Sequence, residues 1–223
     1  MHLVEGVRFR CHGLFHDWRD DRADFAKRAL LEIARSDAGI DFAPDGGCDP
    51  APDAAVVMMN PGSSAPLAGY GGIEWAGKRV PAKPDSVQYQ VMRLMAATGW
   101  RHVRVVNLAD VRAAKSADLY ALITGGADAA ALGAIFEGAS VVTPEAAIGG
   151  APVICAWGMD KRLAGLARAA DAWLRARGNP LLGIAGAKAD FPCWRYPKPV
   201  GNWKLAVEWL EEMKRQAAPF ARG

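Results

Sequence analysis

Apolar and polar residues are arranged along this chain in short blocks whose period changes. Six apolar residues, Ala54-Ala55-Val56-Val57-Met58-Met59, run without a break up to Asn60-Pro61-Gly62. A run of this length closed by turn residues predicts a strand buried on both faces of a parallel sheet. Runs at 103–106 (ending at Asn107), 152–156 (ending at Trp157-Gly158) and 181–184 have the same character. Between them the spacing becomes helical. Val87, Val91, Leu94 and Met95 predict a helix over 86–99 with Ser86 as its cap. Short helices are expected at 116–123 and 127–138, a longer one over 160–177 stopped by Gly178, and a last one from about 203 to 216. Upstream of the first strand, Phe25, Ala29, Leu30 and Ile33 recur at helical spacing and predict a helix over 21–37. Residues 1–20 read as irregular. The Gly- and Pro-rich stretches 38–53 and 65–84 read as loops, and long loops in compact domains often carry function.

Strands alternating with helices predict an α/β fold: a three-layer α/β/α arrangement around a central, mostly parallel, four-stranded sheet. The expected organisation is one domain over 1–223, with a core at 54–216 and a helical or irregular extension at 1–53 packed on it. In such sheets ligands bind beyond the carboxyl ends of the strands, where strand order reverses. That rule turns the topology into a site expectation.

Composition narrows the function classes only a little. Of 223 residues, 51% are hydrophobic and 23% charged, a globular balance that argues against extensive disorder. The net charge of +3 permits contact with phosphate without demanding it. Cys11, Cys48, Cys155 and Cys193 form no C-x-x-C pair and lack histidines at ligand spacing, so free thiols in a reducing cytoplasm are expected rather than a metal site. His12 and His16, at i and i+4, could ligate a metal on a helix, but that stretch does not read as helical. The first ten residues lack the apolar core of a secretory signal, and no apolar run is long enough for a membrane span. No cofactor motif is present.

The four strand ends carry the candidate chemistry. After the first strand, Pro61 fixes the chain, Gly62 permits close approach, and Ser63 and Ser64 offer hydroxyls and backbone donors beside Asn60. Asn107 ends the second strand, with Arg112 and Lys115 following as candidate phosphate ligands. Trp157 closes the third strand, placed either to stack on a ring or to cover the core. After the fourth comes Lys188, then a Pro-stiffened segment containing Arg195, Tyr196 and Lys198. Aromatic and cationic side chains interleaved in this way suit a single strand or a flipped base, or else a rigid strap on the sheet edge. Tyr89 lies in the first turns of the helix at 86–99, whose start could receive an anion.

The combination M-M-N-P-G-S-S, S-V-Q-Y-Q-V-M-R-L, V-R-V-V-N-L-A-D-V-R, C-A-W-G and Y-P-K-P resembles the bacterial family designated domain of unknown function 1643, over about residues 54–213. More distantly it resembles the uracil-DNA glycosylase superfamily. That resemblance implies a four-stranded parallel sheet between helices. It also implies a first motif at Asn60-Pro61-Gly62 that positions water or binds the base. A second motif around Tyr196-Pro197-Lys198 would grip DNA and support the departing base. Tyr196 stands where that superfamily has histidine, no serine follows Pro197, and Asn60 can orient a water but cannot take its proton.

Together these features lead to an expected nucleobase, nucleotide or nucleic-acid partner. Asn60, Pro61, Gly62, Ser63, Ser64 and Asn107 would line the base pocket, with Asn60 and Ser63 the candidate catalytic residues. Tyr89, Trp157 and Tyr196 would stack, while Arg112, Lys115, Lys188, Arg195 and Lys198 would meet phosphate. If the protein is an enzyme, the reaction expected is hydrolysis of an N-glycosidic bond. Two alternatives stand beside this one: a non-catalytic nucleic-acid or nucleotide-binding module, and a hydrolase of a small non-nucleic substrate that uses the Ser63-Ser64 turn.

Overall fold

The computed structural model describes residues 1–22, 24–42, 50–187, 190–198 and 201–222. Its strands are β1 (His2–Val4), β2 (Val7–Arg19), β3 (Asp24–Arg35), β4 (Ala54–Met58), β5 (Ala65–Pro66), β6 (Arg79–Lys83), β7 (His102–Asn107), β8 (Val153–Cys155) and β9 (Leu181–Leu182). The helices are α1 (Gln88–Thr98), α2 (Ser116–Thr124), α3 (Ala129–Leu132), α4 (Pro144–Ile148), α5 (Ala164–Arg177) and α6 (Trp203–Ala217).

The strands join in one mixed sheet of order β5-β6-β2-β3-β7-β4-β8-β9, with β1 paired to β2. Parallel pairing is confined to β7-β4-β8-β9, the four strands expected from the sequence. The other pairings are antiparallel, so the sheet as a whole is not the mostly parallel four-stranded one expected.

The largest correction falls on the N-terminal region. Residues 24–35 form a strand, not a helix, and 7–19 pair with them as a long hairpin rather than running irregularly. Arg28 through Ala34 are all buried because β3 lies inside the sheet, between β2 and β7. Burial on both faces erases the alternation that would have marked a strand. The register of β2 and β3 also shifts between Leu14 and Phe15, so that Leu14 faces Leu30 and Phe15 faces Arg28, with Ala29 bulged. Bulges of this kind re-aim side chains.

Smaller differences follow. The expected loop at 65–84 contains β5 and β6, closed at its base by the Ser64 hydroxyl donating to the Lys83 carbonyl at 3.1 Å. The helix expected over 127–138 is broken by Gly133 (φ +63°), leaving α3 and a 3-10 turn. α1 is capped by Asp85 rather than Ser86. The Asp85 carboxylate accepts from Val87 N (2.8 Å) and Gln88 N (3.2 Å), while Asp85 N donates to the Gln88 side chain. This reciprocal pairing is a capping box. Cys48 lies outside the described residues. Cys11, Cys155 and Cys193 are buried free thiols, and burial pushes the Cys11 thiol up to about 12.

Alternating residues of β4 serve two cores. Val56 and Met58 pack with α1 and α6, and Ala55 and Val57 with α2, α4 and α5. Both faces of the parallel strands are thus covered by helices, which leaves their carboxyl ends as the open edge. Among the described residues no helix is long and apolar enough to cross a membrane.

Candidate functional site

From β4 the chain passes to β7 on one side, then crosses to β8 on the other. The connections diverge at β4 and β8, and such a switch point leaves a crevice beyond the strand ends. A cavity of about 410 Å³ lies there. Asn60, Gly62 and Ser63 line it from the turn after β4, and Asp85 and Ser86 from the start of α1. Ser116 and Tyr120 contribute from α2, Trp157 to Met159 from the turn after β8, and Tyr196 and Lys198 from the segment after β9.

Asn60 is fixed from below. Its side-chain nitrogen donates to the Ala113 carbonyl at 2.8 Å and more weakly to Val111 at 3.4 Å. With the nitrogen anchored, Oδ1 has no donor among the described residues and remains an acceptor on the cavity wall. Asn107 lies underneath, wholly buried. Its amide nitrogen faces the Asn60 carbonyl at 3.1 Å and its oxygen faces Arg28 Nη2 at 3.3 Å. Asn107 therefore holds the turn and does not line the cavity.

Gly62 adopts the left-handed conformation (φ +64°), and a Cβ there would stand 2.7 Å from Asp85 Oδ2. Only glycine lets the Asp85 carboxylate close against this turn. Behind it sits Arg28, fully buried, with Nε and Nη1 lacking any acceptor among the described residues. Burial lowers the Arg28 guanidinium to about 10 against the opposing pull of Asp85 and Asp110, so it is charged at neutral pH. Burial, and then the nearby Asp85 carboxylate, push the Tyr196 phenol well above its usual value, so that it stays a hydrogen-bond donor.

The segment 191–198 is a strap. Gly158 N donates to Trp194 O (2.9 Å), Arg195 N to Ile184 O (2.8 Å) and the Trp157 indole to Pro192 O (3.1 Å). Trp157 is wholly buried and meets Trp194 edge-on at 6.2 Å, which makes it the floor of the site and not a free stacking platform. The strap delivers Tyr196 and Lys198 to the cavity. Across from it, Arg162 lies 3.8 Å over the Tyr120 ring and is held there by Asp160 through bonds of 2.8 and 2.6 Å.

Of the residues expected from sequence, Asn60, Gly62, Ser63, Trp157, Tyr196 and Lys198 are brought together. The other described ones do not line the cavity. Pro61 and Ser64 stand behind its wall, and Ser64 O accepts from Arg112 Nε at 2.8 Å. Arg112 is also bonded to Asp24 (2.7 Å) and to Phe25 O (2.6 Å), so its cation is already neutralised. Tyr89 hydrogen-bonds His2 at 3.1 Å. Arg195 lies 3.7 Å from Glu208. Lys188 lies outside the described residues.

Asp85, Arg28 and Tyr120 were not foreseen. Asp85 could have been found from the D-x-x-Q spacing of Asp85 and Gln88. Arg28 and Tyr120 carry no local signal, because distant pairing brings them in. A second finding concerns charge. Lys83, Lys115, Lys161 and Lys198 line the cavity or lie within two residues of a lining residue, and none pairs with a carboxylate among the described residues. By contrast Arg35, Arg112, Arg162, Arg175 and Arg215 are each bonded to one. Lys78, Arg168 and Lys204, which do not line the cavity, likewise show no carboxylate partner, so Lys198 is the one such cation on the cavity wall among the described residues. No family model, curated protein or solved structure matches the chain.

Proposed function

We propose that this protein recognises a nucleobase as part of a nucleotide or nucleic acid, in a fold of the uracil-DNA glycosylase type. The observation that carries the reading is the cavity at the β4/β8 switch point, where Asn60, Gly62, Ser63, Tyr196 and Lys198 converge from segments far apart in sequence. Its volume of about 410 Å³ lies within the range of small-molecule sites. Lys198, which pairs with no carboxylate among the described residues, brings positive charge to the cavity wall for a phosphate-bearing ligand. The parallel strands β7-β4-β8-β9, covered by helices on both faces, accord with the three-layer fold that the sequence resemblance implies. Buried free thiols accord with a reducing compartment such as the cytoplasm.

Turnover, where it occurs, is hydrolysis of an N-glycosidic bond. A second reading, a binding module without turnover, is favoured by one observation: among the described residues no histidine lines the cavity, and the amide of Asn60 can orient a water without accepting its proton.

Calorimetric titration of mononucleotides into the wild type and Lys198→Ala tests the proposal. The expected result is binding that weakens with added salt and falls about tenfold or more without the lysine. Absence of binding by every nucleotide at low salt would overturn it.

A further inference from the structure

Among the described residues lining the cavity, Asp85 is the only carboxylate and Lys198 the only cation. The two oxygens of Asp85 have different surroundings. Oδ1 accepts from Val87 N and Gln88 N, which ties the group to the start of α1. Oδ2 receives no donor among the described residues and is packed against Gly62, at the turn that also carries Asn60. The cavity wall therefore presents two fixed acceptors, Asp85 Oδ2 and Asn60 Oδ1, and neither has a donor among the described residues. Arg28, buried behind the wall with two of its nitrogens lacking acceptors, offsets the carboxylate charge without reaching the cavity lining.

We infer that the cavity selects bases bearing an exocyclic amino group, of the cytosine, adenine or guanine type, and discriminates against uracil and thymine. This rests on the nucleotide reading of the cavity given above. An amino group brings two N–H donors to the acceptors. Carboxylates accept from such groups in base recognition. Uracil and thymine offer a single ring N–H flanked by carbonyls, and those oxygens would face the carboxylate and the carboxamide oxygen. A site built to receive donors rejects analogues that lack them, because its buried acceptors are left unpaired. Lys198 lies on the same wall system and is available to the phosphate end of the ligand.

The experiment is a titration of CMP, AMP, GMP, UMP and TMP into the wild type and Asp85→Asn under one low-salt condition. Asparagine caps a helix as well as aspartate does, so the variant keeps α1 and its melting temperature stays near that of the wild type. Its amide nitrogen replaces Oδ2 and turns an acceptor into a donor. The wild type is expected to bind at least one amino-bearing nucleotide about tenfold or more tightly than UMP and TMP. In Asp85→Asn that preference is expected to collapse or invert. A structural cap would not produce inversion. Equal binding of all five nucleotides, or a preference unchanged by the substitution, overturns the inference and leaves the nucleotide reading standing. No binding by any of the five removes both.

Discussion

Glu32 shows how much a single side chain can hold together in this protein. It is 1% exposed, yet Arg104 Nε lies 2.9 Å away, Arg79 Nε 3.2 Å and His102 Nε2 3.3 Å. Burial alone would raise its carboxyl, but the His102, Arg79 and Arg104 neighbours outweigh it and hold the group below the usual glutamate range. A carboxyl depressed in the folded state contributes stability above its unfolded value of about 4.3, and that contribution is lost as pH falls through the folded value. Glu32→Gln should therefore cost about 3–5 kcal/mol near neutral pH, where it strands buried arginines. The gap to wild type should narrow at a pH below the ordinary glutamate range, as the folded carboxyl takes up its proton. Guanidinium unfolding at both pH values checks this, and an equal gap at both would refute it. Asp110 behaves oppositely. Burial raises its carboxyl despite His16, Ser140 and Arg28, so the folded state takes up a proton more readily there than the unfolded chain does.

At the scale of elements, the start of α1 joins stability to the candidate site. The same Asp85 that closes the helix also shapes the cavity wall beside Gly62. Asp85→Ala should destabilise the protein by about 1 kcal/mol, and Ser86→Ala by less than about 0.5 kcal/mol. Denaturant midpoints of the two variants decide this, and equal losses would return the cap to Ser86. The same element shows what the sequence conveyed. The apolar face of α1 and the unbroken apolar run of β4 were legible because each is a local pattern. The strand β3 was not. Its Ala, Leu, Lys, Arg and Glu content favours a helix, and pairing with β2 and β7 overrides that preference.

At the scale of the molecule, the sheet divides into a parallel half that carries the cavity and an antiparallel half that buttresses it. β4 and β7 lie at the junction with every residue buried, whereas β1 and β5 are short and peripheral. Backbone amides of β4 and β7 should therefore exchange slowest in native-state hydrogen exchange, and those of β1 and β5 fastest. Faster exchange in β4 than in β1 would contradict a shared central core. The antiparallel half also shapes the site. The bulge at Ala29 accompanies the placement of Arg28 opposite Phe15, and the Arg28 charge is felt by both Asp85 and Tyr196.

The sequence by itself determined the four parallel strands, the helices α1, α2, α5 and α6 and the edge on which the cavity opens. Each of these follows from local hydrophobic period and turn chemistry. It also placed Asn60, Gly62, Ser63, Tyr196 and Lys198 at strand ends that the topology rule sends to one rim. The tertiary structure alone decided that the N-terminal region extends the sheet. It alone withdrew Arg112 into a pair with Asp24, made Trp157 a floor, and set Asp85 against Gly62 with Arg28 behind. These outcomes depend on which distant segments pair and on how charge is neutralised inside the fold. Neither is encoded in the spacing of neighbouring residues.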